Sequence, residues 1–288
     1  MNHMNRLTPE ARTAVISALI EGCSIRSTVR MTGVSKKAVM RLLIEVGAVC
    51  TTYQDRVFRN LTCRRLQVDE LWAFIGCKQK NVTPEIIAKN SYAGDMWLWV
   101  AIDADTKIVP TWTLGGRDGL TAMHFIDDVA GRLSNRVQLT SDGHKAYLDA
   151  VENAFGSNVD YAMLVKLYGE APEAEKRYSP AQCIGCRHTV VVGSPDPTNI
   201  STSYVERQNL TVRMTNRRYT RLTNAFSRKL ENHAAAVALG YFAYNFIKIH
   251  RTLRVTPAMA AGVTDRLWEV ADLVSLLEAE ESVSKRAA

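Results

Sequence analysis

The chain has 288 residues, 47% of them hydrophobic and 23% charged, with a formal net charge of +7. That composition excludes a disordered tail and a fibrous repeat, and the most apolar stretch, His233 to Ile249, is broken by Asn245 and Lys248 and too polar to span a bilayer. Six scattered Cys form no disulfide framework and no apolar signal core precedes Thr8-Pro9, so the expectation is a cytoplasmic protein of two domains, or of one large domain with an appendage, and no membrane partner.

The charge is unevenly placed. Residues 1–68 carry a balance of +7, residues 69–205 of −5, residues 206–254 of +8 and the tail of −3. Two basic blocks therefore flank an acidic middle. A basic surface attracts polyanions, with nucleic acid as the usual partner.

In the first block, Thr8-Pro9-Glu10 starts a helix whose apolar stripe, Ala14, Val15, Ala18 and Leu19, stops at Gly22. A second short helix fits Ser24 to Met31. After the turn Thr32-Gly33-Val34, Ser35 caps a third helix with Val39, Leu42, Leu43 and Val46 inward, ending before Gly47. Helix, Gly-containing turn and capped helix make a helix-turn-helix pattern, and Lys36, Lys37 and Arg41 face outward where a recognition helix meets the major groove. A plain three-helix cap that binds another domain is the alternative. Residues 48–65, with Arg56, Arg59, Arg64 and Arg65, read as a basic linker.

The acidic middle alternates. Leu66 to Ile75 reads as a strand with Asp69 in mid-run; Met96 to Asp103 and Lys107 to Leu114 are two more, joined by Ala104-Asp105-Thr106. Leu120 to Leu133 is helical by its spacing of Phe125, Val129 and Leu133. Val137 to Thr140 is a short buried strand ending in Ser141-Asp142-Gly143, Lys145 to Phe155 is helical, and Tyr161 to Leu167 is a fifth strand. This order matches an α/β ribonuclease H-like fold with a mixed five-stranded sheet flanked by helices. In that topology the first and fourth strands are neighbours, so Asp69 and Asp142 converge. A carboxylate in an apolar strand is costly unless paired or metal-bound, and a divalent cation relieves both burial and mutual repulsion. Taken singly, Asp69 could be a surface-facing strand residue and Asp142 an Asx-turn residue before Gly143.

The second basic block opens with Tyr204 to Arg213. As a helix it places Glu206, Asn209 and Arg213 on one face, with Arg213 able to meet a phosphate. The other acids nearby are Glu170, Glu173 and Glu175 in a polar Pro-containing segment, and Asp196 between two prolines. None of these has a helix to aim it.

Three blocks in order then resemble transposases of bacterial insertion sequences, nearest to the insertion-sequence-one family. They are Asp69-Glu70-Leu71-Trp72 with Gly76, Ser141-Asp142-Gly143 with Tyr147, and Val205-Glu206-Arg207-Gln208-Asn209-Leu210-Thr211-Val212-Arg213. The likeness extends through Leu222 to Ser227, Glu231-Asn232-His233, Tyr244-Asn245-Phe246, His250 to Leu253 and Thr256-Pro257-Ala258, and so covers about residues 66–262. The resemblance implies an Asp-Asp-Glu active site of Asp69, Asp142 and Glu206, which would bind two Mg²⁺ or Mn²⁺ ions for DNA strand cleavage and transfer. It further implies that Asn209 and Arg213 hold DNA near the site, that His233 lies close by or in the core, and that double-stranded DNA (element ends and target) and a homo-oligomer are the partners. The tail Asp265 to Leu277, with Leu267, Val270, Leu273 and Leu276, is the candidate contact between copies.

The family's N-terminal zinc finger has no ligand set here, and an insertion at about 168–203 separates Asp142 from Glu206. Within it, Cys183-Ile184-Gly185-Cys186-Arg187-His188 offers half a zinc site at best, so zinc is not favoured. The expected domains are 1–47 (helix-turn-helix), 48–65 (linker), 66–262 (catalytic) and 263–288 (helical tail). A catalytically inactive regulator of the element and a structure-selective nuclease are the competing functions.

Overall fold

A computed structural model describes residues 6–169, 183–220 and 223–287. In chain order its elements are α1 (Pro9–Ile20), α2 (Ile25–Thr32), α3 (Lys36–Val57), β1 (Arg65–Ile75), α4 (Pro84–Lys89), β2 (Gly94–Asp103), β3 (Trp112–Gly115), α5 (Gly119–Ala130), β4 (Val137–Ser141), α6 (Ala146–Phe155), β5 (Val159–Tyr168), β6 (Cys183–Val192), α7 (Ser203–Thr215), α8 (Leu230–Phe242), α9 (Pro257–Ala260) and α10 (Val270–Ala287). The chain folds as two compact units. A sheet unit comprises Arg59–Leu71 and Trp99–Arg207; a helical unit comprises the residues up to Phe58, Trp72–Leu98 and those from Gln208 onward.

The sheet is mixed α/β in character and has six strands, in the order β3-β2-β1-β4-β5-β6. β1 and β4 run parallel with Leu66 opposite Leu139 and Gln67 opposite Thr140, so the expected neighbours are neighbours. β4 and β5 are parallel and β5 and β6 antiparallel. Five strands were expected; the sixth comes from the insertion, whose Cys183 and Cys186 sit in an edge strand rather than a loop. Its signal was hidden because β6 has no buried face to impose an alternating pattern: nearly every residue of it is exposed. β3 is shorter than expected. Pro110 has no N–H for a ladder, and Lys107 turns the chain at φ 62°. Trp99, Phe125, Tyr147 and Tyr161 fill the core, with Trp99 Nε1 donating to the Gly116 carbonyl at 2.9 Å.

In the helical unit the caps expected at Thr8 and Ser35 are in place, and Ser24, expected inside the second helix, caps it instead. Thr8, Ser24 and Ser35 accept from the N–H groups of Ala11, Ser27 and Ala38, and Gly33 ends α2 in the left-handed region at φ 70°. α3 differs: it does not stop at Gly47 but runs to Val57, taking the first ten residues of the expected linker into the helix. Gly47 is a contact residue. A Cβ there would lie 2.5 Å from Ala235 Cα, so the glycine lets α3 and α8 approach closely. Beyond it Tyr53 packs against Phe242, Phe246 and Trp268, and Asn245 donates to Gln54 in the same core at 3.1 Å. α8 is followed directly by a π-helical turn, Ala243–Ile247.

α10 packs on α1 and α3, burying Leu273, Val274 and Leu277 and pairing Glu281 with Arg12 at 2.9 Å. Of the stripe expected to join two copies, Leu273 is buried within its own chain, Val270 and Leu276 are half-buried and Leu267 is exposed. Among the described residues no helix is long and apolar enough to cross a membrane.

Candidate active site

Extending the β1–β4 register by two residues places Asp69 opposite Asp142, just past the last residue of β4. Each aspartate spends one oxygen on a nearby backbone N–H. Asp69 Oδ1 accepts from the Glu70 N–H at 2.8 Å, and Asp142 Oδ1 from the His144 N–H at 2.9 Å. The turn role foreseen for Asp142 is thus real, and its second oxygen, Oδ2, lies 3.7 Å from the Arg117 guanidinium. Carboxylate oxygens of Asp69, Glu70 and Asp142 all lie within 4.8 Å of one another.

Glu70 was not singled out from the sequence, because neighbours on a strand face opposite ways. Its side chain is 1% exposed, and Arg117 Nε donates to Glu70 Oε2 at 3.0 Å while reaching to 3.7 Å from Asp142. Among the described residues, the buried Glu70 Oε1 and Tyr147 hydroxyl make no hydrogen bond of ordinary geometry, although Tyr147 is near enough to Glu70 to act on its carboxyl. The available signal was the acid pair itself inside an apolar run, followed by Tyr147 at the start of α6.

The electrostatics are those of crowded acids. Burial pushes the Asp69 carboxyl up to about 7, helped by the charges of Asp142, Glu70 and Glu206 and opposed by its bond from the Glu70 N–H. Burial also raises Glu70, with Tyr147 and Arg117 pulling the other way. Three carboxylates whose oxygens lie within 4.8 Å of one another, one of them raised by burial, fit a hard divalent cation.

Glu206 lies in the first turn of α7, on the sheet unit. The buried Gln67 of β1 anchors that turn, its side-chain oxygen accepting from the N–H groups of Tyr204 at 2.8 Å and Val205 at 3.1 Å. Asp69 and the Glu206 helix are thus registered by residues two apart on one strand. The Glu206 carboxylate pairs with Lys166 of β5 and accepts from Thr202 Oγ1. It stands outside the trio within 4.8 Å, yet close enough to raise Asp69.

Of the other expected residues, Lys36, Lys37 and Arg41 are exposed at the start of α3, Arg41 lying 3.9 Å from Glu45. Arg213 is half-buried, and Asn209 is only 4% exposed, which leaves its amide little surface for DNA. His233 is fully buried in the helical unit between the Tyr219 hydroxyl at 2.8 Å and Ser227 Oγ at 3.2 Å; it is a core histidine. Asp196 caps a short turn by accepting from Thr198. Glu170, Glu173, Glu175 and Leu222 lie outside the described residues.

No family model and no curated protein matches the sequence. Solved structures do. The chain is similar to the piggyBac transposase synaptic complex with hairpin DNA, at 12% identity and TM-score 0.46 over 96% of this chain and 72% of that one. It is similar to the simian T-cell lymphotropic virus intasome in complex with PP2A regulatory subunit B56 gamma, at 14% identity and TM-score 0.37 over 88% and 74%. The Mos1 transposase paired-end complex with left transposon end follows at 16% identity and TM-score 0.23, over 56% and 60%.

Proposed function

We propose that this protein is a DNA transposase that binds the ends of an insertion sequence and catalyses metal-dependent strand cleavage and strand transfer on a ribonuclease H-like sheet. The observation that carries the reading is the β1–β4 register, which sets Asp69 opposite Asp142 in a cluster of carboxylates. Asp69, Asp142 and Glu206 are the proposed ligands of two Mg²⁺ or Mn²⁺ ions, with Glu70 beside them. Bound ions would supply Lewis-acid activation of a water or 3′-hydroxyl and charge stabilisation at the leaving oxygen.

The chain's own groups prepare that chemistry. Asp69 must shed a proton near neutral pH before it can serve as a ligand, so metal affinity rises with pH. Lys166 holds the Glu206 carboxylate in place. Arg117, 41% exposed and already spanning Glu70 and Asp142, can turn a guanidinium N–H toward a phosphate oxygen. The three helices α1 to α3 are proposed as the helix-turn-helix reader, with Lys36, Lys37 and Arg41 on the DNA and Arg213 of α7 on a phosphate.

Glu206→Gln keeps shape and removes charge. It should abolish cleavage of end-containing DNA in Mg²⁺ while gel-shift affinity persists, as should Asp69→Asn and Asp142→Asn. Cleavage by Glu206→Gln at the wild-type rate would remove Glu206 from the site.

A further inference from the structure

The helical unit holds a cavity of about 940 Å³ that shares no residue with the carboxylate cluster. Arg26, Lys36, Arg217, Arg218, Arg228 and Lys248 line it, and no Asp or Glu does. Lys248 pairs with Glu21 at 3.2 Å; the other five form no ion pair with any described residue. Arg218 is the most telling. Its guanidinium makes one hydrogen bond to a described residue, from Nε to Ser227 Oγ at 2.9 Å; the residue lines the cavity, and burial holds it below the usual guanidinium range. Grouping like charges around a void with no counter-charge is unfavourable unless an anion enters.

The lining is more than cationic. Half-buried Phe226 and Tyr244 contribute aromatic surface, and Thr223 and Asn224 contribute polar groups. Cations beside aromatic faces are the means by which proteins hold unpaired nucleotides, the cations tracking phosphates and the rings stacking on bases. The volume is that of a small-molecule pocket, far too small to admit a double helix. We infer that this cavity is a binding site for a short single-stranded segment of nucleic acid, its phosphates on Arg217, Arg218 and Arg228 and a base against Phe226 or Tyr244. It is a second nucleic-acid site, which shares Lys36 with the duplex contacts proposed for α3 and differs from them in strand state.

Gly240 supplies the test. It lines the cavity within α8, and a Cβ added there meets nothing within 4 Å, so a larger side chain enters the void without displacing the backbone. Replacing a helical glycine also removes its conformational cost, so these variants should fold. The probe is 5′-phosphorylated trithymidylate carrying a 3′ fluorophore, read by fluorescence anisotropy on the full chain in EDTA. There the carboxylate cluster is silent, and the result stands whether or not the chain cleaves DNA. Affinity should fall with side-chain volume: less than about twofold for Gly240→Ala, severalfold for Gly240→Leu and at least roughly tenfold for Gly240→Phe. Arg217→Ala with Arg228→Ala, both surface-exposed, should weaken binding comparably, and a blunt duplex should compete poorly for the trinucleotide. Wild-type affinity in a Gly240→Phe protein that melts no lower than wild type would overturn the assignment. So would equal competition by inorganic tripolyphosphate, which would reveal an anion pocket with no recognition of nucleotides.

Discussion

Asp69→Asn should stabilise the metal-free protein. In the folded chain the Asp69 carboxyl is held up at about 7 against an ordinary 3.8, so above neutral pH folding must keep an ionised carboxylate buried among other acids. The sign follows from linkage. The folded state binds the extra proton between 3.8 and 7, so this group's penalty is absent below that window, grows through it and is complete above 7. Three pH units correspond to about 4 kcal/mol at most. Coupling to Asp142, Glu70 and Glu206 spreads that cost over the cluster, leaving roughly 1–3 kcal/mol assignable to one side chain. Asparagine preserves the acceptor for the Glu70 N–H, so little is lost in exchange. At about 2–4 °C per kcal/mol for a protein of this size, Tm in EDTA at pH 8 should rise by several degrees. The gain should shrink as pH falls toward 4. Mg²⁺ should raise the wild-type Tm at pH 8 and hardly move that of the variant. A variant that melts at or below wild type in EDTA at pH 8 would refute the reasoning, because the crowding of acids would then carry no energetic cost.

Gln67→Leu should orphan the N–H groups of Tyr204 and Val205, costing about 1–3 kcal/mol in chemical denaturation, and should slow cleavage more than DNA binding through a misplaced Glu206. Unchanged stability and rate would show that α7 is anchored elsewhere. Gly47→Ala should lower the unfolding midpoint by about 1–3 kcal/mol despite its better helix propensity, since the new methyl meets Ala235; a stabilised variant would mean that α3 and α8 are not in close contact. His233, lowered to about 3 by burial, should stay neutral through mild acid in an imidazole nitrogen NMR titration, so that its share of stability is intact above pH 6.5 and lost progressively as pH falls toward 3. Titration of that ring near 6.5 would place it in water.

Local chemistry was legible without a fold. Thr8 and Ser35 have side-chain oxygens suited to capping, Gly33 can adopt the left-handed turn, and the apolar runs around Asp69 and Val137 mark strands whose faces are buried. Those signals are short-range, so the order of elements and the pairing of the first and fourth strands followed from them. Gly47 misled because a glycine reads as a helix end, whereas here its missing side chain serves a neighbour nearly two hundred residues away in sequence, Ala235. The same limit applies to the tail, whose apolar residues do not reveal that Leu273, Val274 and Leu277 pack on α1 and α3 of its own chain. β6 escaped because an exposed edge strand leaves no periodicity to read.

At the site, the sequence determined which residues carry charge and which lie on strands. Only the tertiary structure decided that Glu70 joins Asp69 and Asp142 within 4.8 Å, that Gln67 seats the helix bearing Glu206, and that Lys166 neutralises it. The reason is physical. A carboxylate's environment is set by what the register and the packed helices bring within a few ångströms, and none of those neighbours is near it in the chain.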